Sequence, residues 1–122
     1  MRFLYIILIA RFLSGQDQLQ LFEERNLSFA KALAMEKNND IENAIQIYEK
    51  ILKDDPFNQP SYFQLKNIYN KNSDYKSAIN LINSWLKNNP HDLQSELALG
   101  EIYFQSQQKE TAIKREKGKI GI

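Results

Sequence analysis

Apolar residues recur at helical rather than strand spacing along most of the chain. Over residues 59–71, Tyr62, Leu65, Ile68 and Tyr69 stand at i, i+3, i+6 and i+7, which predicts a helix with these four on its packing face. Phe63 lies about 100° from Tyr62 on such a helix, beside Asn67 and Asn70. A first helix is expected from about Gln18 to Lys37, capped by Asp17, with Leu19, Phe22, Leu27 and Ala30 on its apolar side. The pattern predicts further helices over 41–53, 75–88, 93–106 and from about 109 onward. The last one decays. After Ala112-Ile113 comes Lys114-Arg115-Glu116-Lys117-Gly118-Lys119, and no large apolar residue returns before Ile120, so residues 114–122 read as a charged C-terminal tail.

The first sixteen residues follow a different logic. Met1-Arg2 precedes the apolar run Phe3–Ala10, and Ser14-Gly15-Gln16 offers small residues after it, the order of a secretory signal peptide with cleavage after Gly15 or Gln16. Eight apolar residues fall well short of the roughly 20 a membrane span needs. Removing residues 1–16 takes away Arg2 and Arg11, leaving 14 basic against 15 acidic residues. The expected destination is the bacterial periplasm or cell envelope; the alternative is an uncleaved anchor or a docked apolar helix, with membrane contact only if residues 3–10 are retained.

From Arg25 on, one interval repeats. Pro56 and Pro90, Ala44 and Ala78, Asp40 and Asp74, Tyr69 and Tyr103, and Leu65 and Leu99 are all 34 residues apart. Asp40 and Asp74 stand where a helix N-cap accepts from first-turn amides. Ala44 and Ala78, four residues on, leave room for close helix approach, and each proline lies past a helix end. The unit is helix, short turn, helix, proline-marked turn.

These residues resemble the tetratricopeptide repeat family, whose unit is a 34-residue helical hairpin. The repeats run Arg25–Asn58, Gln59–Asp92 and, truncated, Leu93–Ile122. The resemblance implies an all-α fold: a right-handed α-solenoid of two full repeats plus a truncated third, over residues 17–113. Lys66 departs from the family's usual small residue, and Trp85 and Ile51 replace a small alanine; Trp85 is expected in the core between repeats two and three. Two and a half repeats sit at the edge of independent stability, so help is expected from the long first helix, from self-association or from a partner.

In that family, first-helix positions line a concave groove for an extended peptide or a partner helix. Carried over, the groove comprises Phe29, Leu33, Phe63, Asn67, Asn70, Leu97, Glu101 and Phe104. Aromatic rings anchor partners and amides pair with peptide backbone. The family's basic clamp for a terminal carboxylate is missing, since Phe29, Leu33, Gln64, Gln94 and Ala98 occupy its positions, so a neutral or apolar segment suits this groove better. The alternative is that Phe29, Leu97 and Phe104 complete packing against the first helix or a second copy.

Composition removes most chemistry. The chain has 122 residues with a formal net charge of +1, no cysteine and one histidine. Thiol catalysis, disulfides and thiolate metal sites are excluded, and near-neutral charge supplies no field for a nucleic-acid backbone. No phosphate loop or nucleophile–base pattern occurs. His91 reads as a turn residue, Glu23-Glu24 and Asp54-Asp55 as solvated helix margins, and the basic cluster 114–119 as a solvated tail. The expectation is a non-catalytic interaction module without cofactor or metal, whose partner is another protein or peptide, or a second copy of itself.

Overall fold

The computed structural model describes residues 2–120, apart from the side chains of residues 2–4, 8, 10–14, 119 and 120. Part of the run expected as a leader or anchor therefore lies outside the described side chains. Five α-helices make up the described chain: α1 (Arg2–Lys37), α2 (Ile41–Asp54), α3 (Gln59–Lys71), α4 (Tyr75–Asn88) and α5 (Leu93–Ile120). They fall into two compact units, residues 1–51 and 52–122.

Helix ends are set by short polar sequences. After α1, Asn39 takes φ 62° and the Asp40 amide reaches back to the Met35 carbonyl at 2.8 Å. After α3, Ser73 takes φ 54° and the Asp74 amide donates to the Tyr69 carbonyl at 2.9 Å. Both are left-handed closures in which one residue with positive φ turns the chain out of the helix. Asp74 then caps α4, accepting from the Ser77 amide at 3.2 Å. The Asp40 carboxylate instead accepts from the Asn43 side-chain amide, at 2.9 and 3.0 Å. Asn58 caps α3 through the Ser61 amide at 3.1 Å, with Pro60 in the first turn, where its missing N–H costs nothing.

The expected break near residue 108 does not form. The positions that follow Asn39 and Ser73 at the 34-residue interval hold Gln107, and those that follow Asp40 and Asp74 hold Gln108. Glutamine tolerates positive φ poorly and is a good helix former, and it cannot supply the short Asp-type cap. The helices expected over 93–106 and from 109 are therefore one, α5, continuous to Ile120. The charged stretch 114–118 is helical and exposed.

In the first unit, α1 is also longer than expected. It starts at Arg2, so Asp17 lies inside the helix and Glu23-Glu24 sit mid-helix, exposed, rather than at a margin. Leu19, Phe22, Leu27 and Ala30, expected on the packing side, are exposed. The reason is length: at 1.5 Å per residue α1 spans about 54 Å and the 14-residue α2 about 21 Å, so contact is confined to the last turns of α1. There Ala32, Ala44, Tyr48 and Ile51 are buried. The Phe29 ring lies 5.7 Å from that of Tyr48, and the Tyr48 hydroxyl donates to the Glu36 carboxylate. Burial, then the adjacent carboxylate, pushes the Tyr48 phenol well above its ordinary range.

In the second unit α4 packs against both α3 and α5. Its core holds Tyr62, Leu65, Ile68 and Tyr69 of α3, Ala78, Ile82 and Trp85 of α4, and Ile102 of α5. The stripe predicted on α3 is buried as expected.

Candidate protein-binding surface

Burying one stripe of α3 dictates what the opposite side shows. Phe63, Asn67 and Asn70, at i, i+4 and i+7, are all exposed, Phe63 by 52%. Lys66 places its ammonium 5.3 Å from the Tyr62 ring centre and 5.4 Å from that of Phe63, within cation–π range of both. Its aliphatic stem and charge thus border the exposed ring. On α5, Leu97, Glu101 and Phe104 repeat the same spacing and are likewise exposed, Leu97 by 71% and Phe104 by 64%.

Phe29 and Leu33 differ from the other six. They belong to the first unit, are half-buried, and Phe29 packs against Tyr48. Packing explains Phe29 without a ligand. Leu97 and Phe104, by contrast, have no such packing among the described residues.

Beneath the surface of the second unit lies a polar tie absent from the sequence expectations. Asp92 caps α5, accepting from the Ser95 amide at 3.2 Å and the Ser95 hydroxyl at 2.7 Å. The same carboxylate accepts the Trp85 indole N–H at 2.9 Å. Ser95 Oγ also pairs with the Tyr62 hydroxyl at 2.7 Å, and the Tyr62 and Trp85 rings stack 4.1 Å apart at 8°. The carboxylate therefore joins α4 and α5 directly and reaches α3 through the Ser95 hydroxyl. Hydrogen bonds from Ser95 and Trp85 hold Asp92 below the usual carboxylate range, while burial raises the Tyr62 phenol. Trp85 is core, as expected, and its indole N–H is satisfied. The sequence signal was present: Asp92-x-x-Ser95 stands 34 residues after Asn58-x-x-Ser61, the same cap in the same register. At the earlier position Ser28 and Ile51 replace Tyr62 and Trp85, and the buried Ser61 Oγ has no hydrogen-bond partner among the described residues.

His91 is exposed at the rim of an open cleft with Phe57, Trp85 and Asn89. Among the described residues no cluster of acidic or histidine side chains suits a metal ion.

Residues 37–115, more than half of the chain, match the family model described as anaphase-promoting complex, cyclosome, subunit 3. The chain belongs to this family. It is a family of tetratricopeptide-type repeats, modules of protein–protein interaction that are generally non-catalytic. The matched segment opens at the Asn38–Asp40 turn and takes in both left-handed closures, α2 to α4 and most of α5; Phe29 and Leu33 precede it. No curated protein sequence matches the chain.

Proposed function

We propose that this tetratricopeptide-type chain is an exported, non-catalytic module of the cell envelope that holds another protein through the exposed rows of α3 and α5. One observation carries the reading. The row Phe63, Asn67 and Asn70 lies opposite the buried stripe of α3, so its character is not required by the core. An aromatic ring bordered by a lysine stem and two amides offers an anchor and backbone-pairing groups together. The segment that fits it is extended or helical, neutral to apolar, and carries a side chain to set against Phe63. Glu101 adds a single negative charge on the α5 row.

Crosslinked capture from the native envelope, comparing wild type with Phe63→Ala/Asn67→Ala, tests this. Both residues avoid the packing stripe, so circular dichroism is expected to be unchanged. A protein captured by wild type and lost by the variant supports the surface; an identical captured set overturns it.

Export is supported by the order Met1-Arg2, Phe3–Ala10, Ser14-Gly15-Gln16, and by the exposure of Tyr5, Ile6, Ile7 and Ile9 on α1. No helix among the described residues is long and apolar enough to cross a membrane. Intact mass after expression in a secretion-competent host is expected to lack the first 15 or 16 residues; full mass in the membrane fraction would favour the retained anchor instead.

A further inference from the structure

The missing third turn leaves α5 with an exposed half whose contact with the rest of the unit is Lys109 over the Tyr75 ring. From Gln107 to Gly118 every residue is exposed, although the helix continues without interruption. This half gains almost no packing from its own unit, and a neighbour would supply the burial that stabilises most protein helices. At 100° per residue, Leu93, Leu97, Phe104, Thr111 and Arg115 lie within about 40° of one line along α5. Leu93 is 69% exposed, and with Leu97 and Phe104 it forms a continuous apolar row. An open cavity follows the same line, bordered by Phe104, Gln108, Thr111 and Arg115.

Charge along the helix identifies what fits there. Residues 93–108 carry Glu96 and Glu101 and no basic residue. Residues 109–117 carry Lys109, Lys114, Arg115 and Lys117 against Glu110 and Glu116. Lys109 is already engaged, 5.5 Å above the Tyr75 ring. Two parallel copies of α5 would set acid against acid and base against base. Two antiparallel copies set the acidic half of each against the basic half of the other, the complementarity that favours one orientation and suppresses the other.

We propose that two copies of this chain pair through α5, antiparallel, with Phe104 near the two-fold axis. The pairing sets Glu96 of one copy opposite Ala112 of its partner, between Lys109 and Lys114, sets Glu101 opposite Gln107, two residues from Lys109, and covers Leu93, Leu97 and Phe104 in both. It is isologous and closes at two copies. It builds on the reading of the α5 row as a protein-binding surface and names the occupant of that row; the α3 row stays free for the partner proposed above.

Sedimentation of the full chain tests it with no other protein present. Wild type is expected to be a dimer at tens of micromolar, weakening with added salt as surface charges are screened. Glu96→Lys/Glu101→Lys makes both halves of α5 basic, and Lys114→Glu/Arg115→Glu makes both acidic. Each is expected to weaken dimerisation at least tenfold, and an equimolar mixture of the two to restore it. Orientation is read by disulfide trapping, which the absence of native cysteine makes clean. An added Cβ at Gly100 meets nothing within 4 Å. Mixed Gly100→Cys and Gln108→Cys chains are expected to crosslink to each other and neither to itself. A monomeric wild type, or a dimer indifferent to both charge reversals, overturns the proposal. A monomer that still captures a partner through Phe63 leaves the interaction surface standing and removes only this pairing.

Discussion

Replacing Asp92 by alanine separates the polar tie of the second unit from its apolar packing. The substitution removes the cap of α5, a loss of about 1 kcal/mol in typical cases. It also strips the acceptor from the Trp85 indole N–H and from one of the two bonds of the Ser95 hydroxyl. A buried donor left unpaired costs about 1–3 kcal/mol, and Trp85 is 7% exposed. Water reaches the half-exposed Asp92 position itself, which places the expected total near 2–3 kcal/mol. Asp92→Asn keeps an acceptor oxygen for the Ser95 amide and is expected to cost about half as much. Urea unfolding followed by the fluorescence of Trp85, the only tryptophan, measures both, with far-ultraviolet dichroism as the second probe. The acid limb gives an independent check. A carboxyl held low in the folded state contributes stability that is present above its unfolded value and lost as pH falls through the folded value. Wild type is therefore expected to lose its advantage over Asp92→Asn below about pH 4. A loss under about 0.5 kcal/mol for Asp92→Ala, or an advantage over Asp92→Asn that does not shrink as pH falls below about 4, refutes the reasoning.

Ser73 sits at φ 54°, where a side chain other than glycine is disfavoured by roughly 1–2 kcal/mol; after glycine's extra unfolded-state entropy, Ser73→Gly is expected to stabilise by about 0.5–1 kcal/mol in thermal melts, and Asn39→Gly by less, because asparagine tolerates that region. Gln107→Gly/Gln108→Asp restores the missing turn chemistry, and hydrogen exchange is expected to show a helix break there with slower exchange over residues 109–113; an uninterrupted helix would refute the account of α5. Tyr48→Phe removes the bond to Glu36 at about 1 kcal/mol. Because the Tyr48 phenol is raised in the folded state, its contribution is complete below its unfolded value near 10 and is lost as pH rises further. Stability above pH 10 is therefore expected to decline less steeply in Tyr48→Phe than in wild type.

Turns were the most legible feature of the sequence. Asn38-Asn39-Asp40 and Asn72-Ser73-Asp74 each hold a small polar residue able to take positive φ before an aspartate, and both turns form; Asp74 caps the next helix, whereas the Asp40 carboxylate takes the Asn43 side chain instead. The stripe on α3 was equally legible, since helical periodicity fixes which residues share a face once the helix bounds are known. The ends of the chain were not. The period placed a hairpin at residues 93–122 because Leu99, Tyr103 and Ala112 keep their spacing, yet spacing records which residues would pack, not whether the chain can turn. Gln107 and Gln108 decide that, and they favour helix. On α1, the single Gly15 costs only about 1 kcal/mol inside a helix, so it marks no boundary. The tie at Asp92 escaped because its members come from three helices, Tyr62 and Ser95 being 33 residues apart. On the candidate surface, the exposure of Phe63, Asn67, Leu97 and Phe104 followed from the wheel, whereas Phe29 depended on where α2 ends.

The continuity of α5 has a mechanical side. Its 28 residues span about 42 Å, and the cap and hydrogen bonds that fix its start all gather at Asp92 and Ser95. Packing against α4 holds the helix as far as Ile102, and the stretch from there to Ile120 spans about 27 Å, so a bend of roughly 10° beyond Ile102 moves the far end by about 5 Å. The carboxylate at the root of the helix anchors the packed stretch, and the direction in which the exposed half points is set inside the packed unit.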